Sequence, residues 1–327
     1  MNDDIPLVVD FHVHMLDPEV FRAAEGRTVF TGFGTRPVKP PRPGMPAELA
    51  GRMMSADQQV EDLDRRGVHI GVISSSTVMQ GTSWADPQTD LALCRRANDT
   101  VAAWTRKHPR RLVGSATVPL QDVGLAVAEL ERCVVEHGFR VANVGTCYGG
   151  AYLGAPVFLP FWEAVARHEL TVWIHPEGVQ DMWFQDYWLW NSLGQSIEET
   201  KAMASLVYEG VLHRLPGLKL VIAHGGGYFP HYMGRMDRNQ GLAEAGRNID
   251  GRAPSEFLRA FHYDTCVYDP RVLRTLVERV GADRLVLGSD HPIGESDPVG
   301  FLRRCGLSGE DLARACGGNA AALLGLR

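Results

Sequence analysis

The 327 residues of the chain, 45% hydrophobic and 22% charged, are sufficient for one large globular domain with a sizeable core. A formal net charge of −6, with no basic cluster to offset it, argues against nucleic acid as a partner. No apolar run approaches the roughly 20 residues that span a bilayer, and the acidic start "MNDDIPLVVD" is no signal peptide. The six cysteines form no C-x-x-C pair. We therefore expect a cytoplasmic protein with reduced thiols.

Short apolar runs alternate with amphipathic stretches along the whole chain. The amphipathic stretches, such as 121–138 and 270–282, carry apolar residues at helical spacing. Strands that alternate with helices in this way predict an α/β fold, a (β/α)8 TIM barrel, as a single domain over residues 1–327 that ends in short C-terminal helices. The predicted strands are 7–13, 68–74, 111–118, 139–146, 170–176, 218–226, 261–267 and 284–290.

One segment interrupts this alternation directly after the first strand. Residues 15–56 include "GFGTRPVKPPRPGMP", whose prolines and glycines exclude a regular helix. Two interpretations stay open. The segment is either a surface excursion or a loop insertion at the C-terminal end of a strand, the face on which barrel enzymes build their active sites.

The first strand contains two histidines one residue apart. In "VVDFHVHML" (8–16), Asp10, His12 and His14 alternate, so a regular β-strand would point all three side chains to one face. Two imidazoles side by side on an apolar strand need a partner, and a divalent metal is the best candidate. Asp10 would lie behind the pair, where it either orients an imidazole or simply caps the strand.

Three further titratable residues end predicted strands. His175 ends the fifth ("WIHP"), His224 the sixth ("IAHGGG") and Asp290 the eighth ("LGSD"). Because the C-terminal ends of parallel barrel strands meet on one face, these residues would converge with His12 and His14. Imidazoles with a carboxylate suit zinc, with manganese, cobalt and iron as alternatives. The spacing does not separate the metal ligands from a residue that transfers protons.

The number of metal ions follows from the scarcity of lysine. None of the four lysines ends a predicted strand, so no carbamylated lysine is available to bridge two metals. The fourth strand offers Asn143 and Thr146 instead. The sequence therefore predicts one divalent ion.

With these strand-end residues the chain resembles the amidohydrolase superfamily, and within it the branch of 2-amino-3-carboxymuconate 6-semialdehyde decarboxylase and the related hydroxybenzoate decarboxylases. The blocks "AHGGGYFP…GR" and "LGSDHP" carry this resemblance, which covers nearly the whole chain after the first loop. The resemblance implies a homodimer, four metal ligands and one acid–base residue that activates the water on the metal. The implied ligands are His12, His14, His175 and Asp290; the implied acid–base residue is His224, with Asp290 as an alternative proton donor.

The resemblance also points to residues that would hold the substrate. Relatives bind the substrate carboxylate through an arginine of the first long loop, and Arg52 is the approximate match. Arg235, in "MGRMDR", either meets a carboxylate directly or forms a structural ion pair. Trp188, in the aromatic stretch 182–190, would roof the pocket or line a subunit contact.

Other positions near the expected pocket differ from the family or are matched less directly. Asn191 replaces a tryptophan, and His291 stands where tyrosine or phenylalanine is commoner. Arg238 and Arg247 lie where relatives supply an arginine across a dimer interface.

These features favour a lyase that removes carbon dioxide from a small-molecule carboxylate, either unsaturated, such as a carboxymuconate semialdehyde, or aromatic, such as a hydroxybenzoate. The alternative is a metal-dependent hydrolase or hydratase of a related ring-cleavage product, because one fold supports several reaction classes. A noncatalytic metal-binding protein is the third hypothesis. It is disfavoured by His224, since a storage site needs no base.

Overall fold

Eight parallel strands form one sheet whose order follows the chain. The computed structural model describes residues 5–25, 46–75, 84–179, 182–184, 186–242 and 249–326. The last strand returns to the first, because the backbone N–H of Phe11 donates to the carbonyl of Leu287 at 2.8 Å and Val13 pairs with His291. The predicted TIM barrel is confirmed. Its strands are β1 (Val9–Met15), β2 (Ile70–Ser75), β3 (Leu112–Thr117), β4 (Val141–Val144), β7 (Thr171–Ile174), β8 (Lys219–Ile222), β9 (Phe261–Asp264) and β10 (Leu285–Val286), and a small hairpin, β5 (Cys147–Tyr148) and β6 (Ala151–Tyr152), follows β4.

Helices follow the strands and cover the outside of the barrel. Several of the longer ones begin at a residue suited to that position: the carboxylate of Asp122, for example, accepts the backbone N–H of Leu125 at the start of the helix Val123–His137. None of the described helices combines the length and the apolar character that a bilayer crossing needs. The helices are α1 (Pro18–Ala23), α2 (Ala47–Met53), α3 (Ala56–Arg65), α4 (Pro87–Lys107), α5 (Val123–His137), α6 (Leu159–Arg167), α7 (Leu189–Ser192), α8 (Gly194–Tyr208), α9 (Val211–Arg214), α10 (Met233–Asn239), α11 (Pro270–Val280), α12 (Pro298–Arg304), α13 (Gly309–Ala313) and α14 (Asn319–Leu324).

The predicted insertion, 15–56, is more regular at its two ends than its composition suggests. Asp17 starts α1 by accepting the backbone N–H groups of Glu19 and Val20, and α2 lies at the other end of the segment. Residues 26–45, which contain most of the proline-rich stretch, lie outside the described residues.

The last helices close the N-terminal end of the barrel. Leu323 and Leu324 of α14 pack with Val9 and Phe11 in the apolar cluster inside the barrel. The C-terminal helices expected from the sequence are therefore present, and they leave the opposite, C-terminal end of the strands free to carry polar residues.

Candidate active site

Three strand ends bring the four implied metal ligands into one cluster. One nitrogen or carboxylate oxygen from each side chain lies within 4.8 Å of the corresponding atom of every other. His14 Nε2 is 2.9 Å from Asp290 Oδ1 and 3.2 Å from His12 Nε2. The cluster is shielded from solvent, with only 16% of the Asp290 side chain exposed. Its members are His12, His14, His175 and Asp290.

The cluster fits a divalent cation. Ligand atoms that share one ion at about 2.0–2.1 Å are separated from each other by about 3 Å, which matches the 3.2 Å between the two imidazole nitrogens and the 3.3 Å from His12 Nε2 to Asp290 Oδ1. Burial alone would lower the pKa of His12, but the carboxylates of Asp290 and Asp264 outweigh it and raise that pKa to about 10. The surroundings of His12 thus favour positive charge at this position, which a metal ion supplies.

Asp264, at the end of β9, orients the first of these imidazoles. His12 Nδ1 donates to Asp264 Oδ2 at 2.6 Å, and Asp264 is fully buried. This hydrogen bond fixes the tautomer in which Nε2 keeps its lone pair for a metal. Asp264 lies in the middle of the seventh predicted strand, 261–267, and the sequence analysis did not assign it a role.

Asp10 does not have the orienting role that the alternation in β1 suggested. Asp10 pairs with Gly71 and Val13 with Ile73, so three steps along β1 match two along β2. This β-bulge breaks the alternation that a regular strand would keep. Asp10 accepts the backbone N–H of His12 at 3.1 Å and the guanidinium of Arg66 at 3.1 Å instead of contacting an imidazole.

His224 forms a buried dyad with Glu199 next to the metal ligands. His224 Nδ1 and Glu199 Oε1 are 2.5 Å apart, and the His224 ring centroid lies 5.2 Å from that of His175. Glu199, on α8, is fully buried, and its Oε2 has no hydrogen-bond partner in the described part of the chain. Nothing in the local pattern "SIEET" marks this glutamate as functional, because its role depends on where the helix packs.

The dyad holds a proton. Burial raises the pKa of Glu199 to about 7. Burial would lower the pKa of His224, but the Glu199 carboxylate outweighs it and raises that pKa. With Nδ1 engaged by Glu199, Nε2 is the nitrogen left to exchange a proton with a bound molecule.

His224 and Asp290 are both held in an unusual backbone conformation. Their φ angles are +48° and +56°, in the left-handed region that non-glycine residues occupy at a cost of about 1–3 kcal/mol. For His224 the turn is sustained by the three glycines that follow. A Cβ on Gly227 would lie 2.3 Å from the carbonyl oxygen of Ser196, so glycine is required there for α8 to approach.

A cavity of about 330 Å³ opens beside the cluster, with His224 and Asp290 in its wall. Its outer side is built by polar residues of α7 and α8, among which Asn191 donates to Gln195 at 3.0 Å. A volume of this order accommodates a small ring with a few polar substituents. Asn191, one of the departures from the family, therefore lies in the pocket wall.

Arg52 is not brought to this cavity. Its guanidinium donates to Asp62 Oδ2 at 3.1 and 2.9 Å, and it lines a separate surface groove between α2 and α3. Asp62 is almost completely buried and also lies 3.2 Å from His291 Nε2. A buried carboxylate needs compensating charge, so Arg52 is used to neutralise Asp62.

The substitution Arg52→Gln tests this assignment. We expect it to lower the free energy of unfolding by about 1 kcal/mol, because Asp62 loses a charged donor that is itself partly exposed, and to leave KM unchanged. Denaturant unfolding and steady-state kinetics measure the two effects. Arg65→Gln is the matched control, since Arg65 also pairs with Asp62. A large rise in KM with unaltered stability would return Arg52 to substrate binding.

The other two residues predicted to bind the substrate, Arg235 and Trp188, are not among the residues that line the cavity, and neither is Arg238, predicted at a dimer interface. Arg235 and Arg238 are exposed on α10, and Trp188 is 57% exposed with its ring 5.7 Å from that of Trp190. Arg247 lies outside the described residues.

The sequence of the chain is similar to those of known amidohydrolase-family proteins. The amidohydrolase family model matches residues 9–326. The chain is 32% identical to 2-amino-3-carboxymuconate-6-semialdehyde decarboxylase of Dictyostelium discoideum, over 85% of this chain and 79% of the relative.

Solved structures agree on the fold. The 5-carboxyvanillate decarboxylase of Sphingomonas paucimobilis superposes with a TM-score of 0.84 and 25% identity, over 98% of this chain and 99% of that one. A dihydroxybenzoic acid decarboxylase of Polaromonas, with bound manganese and 2-nitroresorcinol, gives a TM-score of 0.81 and 24% identity, over 98% and 97%. The barrel, the cluster at its C-terminal end and the match along almost the whole chain place this protein in the amidohydrolase family.

Proposed function

We propose that the protein is a metal-dependent nonoxidative decarboxylase, a carbon–carbon lyase that acts on an unsaturated or aromatic carboxylate. The observation that carries this proposal is the pairing of a three-histidine, one-aspartate cluster with a buried His–Glu dyad in the wall of one small cavity. The relatives from Dictyostelium discoideum and Sphingomonas paucimobilis described above are decarboxylases of this substrate class, which supports the same conclusion.

His12, His14, His175 and Asp290 would hold the metal ion. A bound ion would supply Lewis-acid chemistry there, for substrate oxygen atoms and for the negative charge that develops as the carbon–carbon bond breaks. His224 takes up a proton at Nε2 from water in the cavity and donates it to the carbon atom that loses carbon dioxide, where the electron pair of the broken carbon–carbon bond forms the new C–H bond. Glu199 supports the cationic form of His224 between these two steps. Asp290, which also faces the cavity, is the alternative proton donor.

A product assay tests the reaction class. The purified protein is supplied with a carboxymuconate semialdehyde and with hydroxybenzoates, in zinc-loaded and manganese-loaded forms, and released carbon dioxide is measured together with the organic product. Decarboxylation gives carbon dioxide and a product lacking one carboxylate. Addition of water without carbon dioxide release would instead establish the hydratase or hydrolase alternative.

We also propose zinc as the native ion, because three imidazoles with one carboxylate form a typical zinc donor set. The manganese in the Polaromonas structure makes manganese the competing assignment, and elemental analysis of the purified protein decides between them. A homodimer is proposed from the exposed aromatic side chains of Trp183, Tyr187 and Trp188, which are typical of subunit contacts. A cytoplasmic location is proposed from six free cysteines, five of them buried.

The variant Glu199→Gln should lower kcat by about 10- to 100-fold. The amide still accepts a hydrogen bond from His224 but removes the negative charge that raises the pKa of the imidazole. The pKa of His224 should therefore fall, and the limb of the pH–rate profile that requires neutral His224 should move to lower pH. The measurement is kcat/KM as a function of pH.

Glu198→Gln is the matched control for this variant. Glu198 is the preceding residue on α8, and its carboxylate accepts a hydrogen bond from Thr146 at 2.6 Å instead of contacting His224. We expect this control to leave the limb in place. Equal shifts in both variants would mean that His224 responds to the general charge of the helix, against a specific role for Glu199.

A further inference from the structure

The two carboxylate oxygens of Asp290 have different partners. Oδ1 faces the imidazoles, 2.9 Å from His14 Nε2. Oδ2 points the other way, 3.4 Å from the hydroxyl oxygen of Tyr268. In the described part of the chain, that hydroxyl is the side-chain group that approaches Oδ2.

The loop that carries Tyr268 is tightly built. Tyr268 has a φ of +56°, the same left-handed conformation as Asp290 and close to that of His224. Tyr268 lies between β9 and α11, with a short-range backbone hydrogen bond on each side. Val267 N donates to the carbonyl of Thr265, and Asp269 N donates to the carbonyl of Val267. Strained non-glycine residues of this kind concentrate at functional sites, and all three line one cavity.

The hydroxyl of Tyr268 is held on more than one side. A Cβ on Gly294 would lie 2.6 Å from it, so glycine at this position leaves room for the hydroxyl beside Asp290. The buried Cys266 lies in the same cavity wall, two residues before Tyr268. The ring itself is 58% exposed and forms part of the cavity wall. Its polar end is therefore fixed while its face remains open to a ligand.

We propose that Tyr268 is a positioning residue for Asp290. Its hydroxyl donates to Oδ2 and keeps the carboxylate turned so that one oxygen faces His12 and His14 and the other faces the cavity. Without this contact the carboxylate is free to rotate about its last bond and to present both oxygens to the imidazole side. The 3.4 Å between the Tyr268 hydroxyl and Asp290 Oδ2 is long for an O–H···O hydrogen bond. We therefore expect its loss to lower kcat about tenfold, well below the effect of losing a metal ligand.

The test compares Tyr268→Phe with Tyr232→Phe. Both variants remove one hydroxyl from a tyrosine that is 58% exposed, and Tyr232 is not among the residues of the cavity wall. The first readout is the visible absorption spectrum of the cobalt-loaded protein, which reports on the ligands of the ion. We expect its bands to shift or change intensity in Tyr268→Phe and to remain unaltered in Tyr232→Phe.

The second readout is kinetic. Tyr268→Phe should lower kcat about tenfold with little change in KM. Circular dichroism checks that the variant has a native fold.

Cobalt bands in Tyr268→Phe identical to those of the unaltered protein would overturn the inference. A fall in kcat with an unaltered spectrum overturns it as well, since it would assign the hydroxyl to the substrate instead of Asp290. Only the kinetic readout depends on the proposed decarboxylase function. If the unaltered protein releases no carbon dioxide, that function fails, whereas the cobalt spectrum still decides the role of Tyr268.

Discussion

Replacing His224 with alanine is expected to lower kcat by about 10²–10⁴-fold while the protein keeps its metal. His224 is not one of the four clustered ligands, but its ring centroid is 5.2 Å from that of His175 and its side chain lines the cavity. The loss should therefore appear in the proton-transfer step and leave metal affinity intact. The measurements are steady-state kinetics and elemental analysis on the same preparation.

His213→Ala is the matched control for this prediction. His213 is a half-exposed histidine that pairs with Asp250, and it is not in the cavity wall. We expect the control to retain the full rate. A metal-loaded His224→Ala protein with the activity of the control would remove His224 from the mechanism and leave Asp290 as the proton carrier.

The residues at strand ends were predictable from the sequence because their position follows from topology alone. Once the chain is recognised as alternating strands and helices, any polar residue that ends a strand must lie on the C-terminal face. That rule places His175 and Asp290 near His12 without any knowledge of loops or side-chain conformations. Asp264 was missed because the predicted strand, 261–267, extended three residues beyond it, whereas the observed strand β9 ends at Asp264.

Residues whose role depends on local irregularity or on helix packing were not predictable. One bulge in β1 removes Asp10 from the imidazoles, and a bulge has no reliable sequence signal. Glu199 reaches His224 only because α8 packs against the glycine turn after β8. Arg52, predicted to bind the substrate, instead pairs in this structure with Asp62, a buried carboxylate that sequence patterns do not reveal.

Removal of the metal is the second prediction with a large effect. Treatment with a strong chelator should abolish decarboxylation, because a Lewis acid that contributes several kcal/mol to the transition state accounts for about 10³-fold or more in rate. The chelated protein should also unfold more easily, since an ion that binds only the folded state adds about 4 kcal/mol when its free concentration is about 1,000 times Kd. Activity and unfolding midpoint are measured before chelation, after it and after return of zinc or manganese.

The variant His175→Ala separates loss of the ion from damage by the chelator. His175 belongs to the ligand cluster, so its removal should give a protein that zinc and manganese cannot reactivate. His168→Ala is the matched control. His168 lies seven positions earlier, directly after α6, and its Nε2 is 3.8 Å from Glu131 Oε1. This variant should respond to metal like the unaltered protein. Full activity in a preparation without detectable metal would contradict the metal centre itself. In that case the short distances among His12, His14 and Asp290 would have to arise from hydrogen bonding, with a proton on His12 balancing the two neighbouring carboxylates.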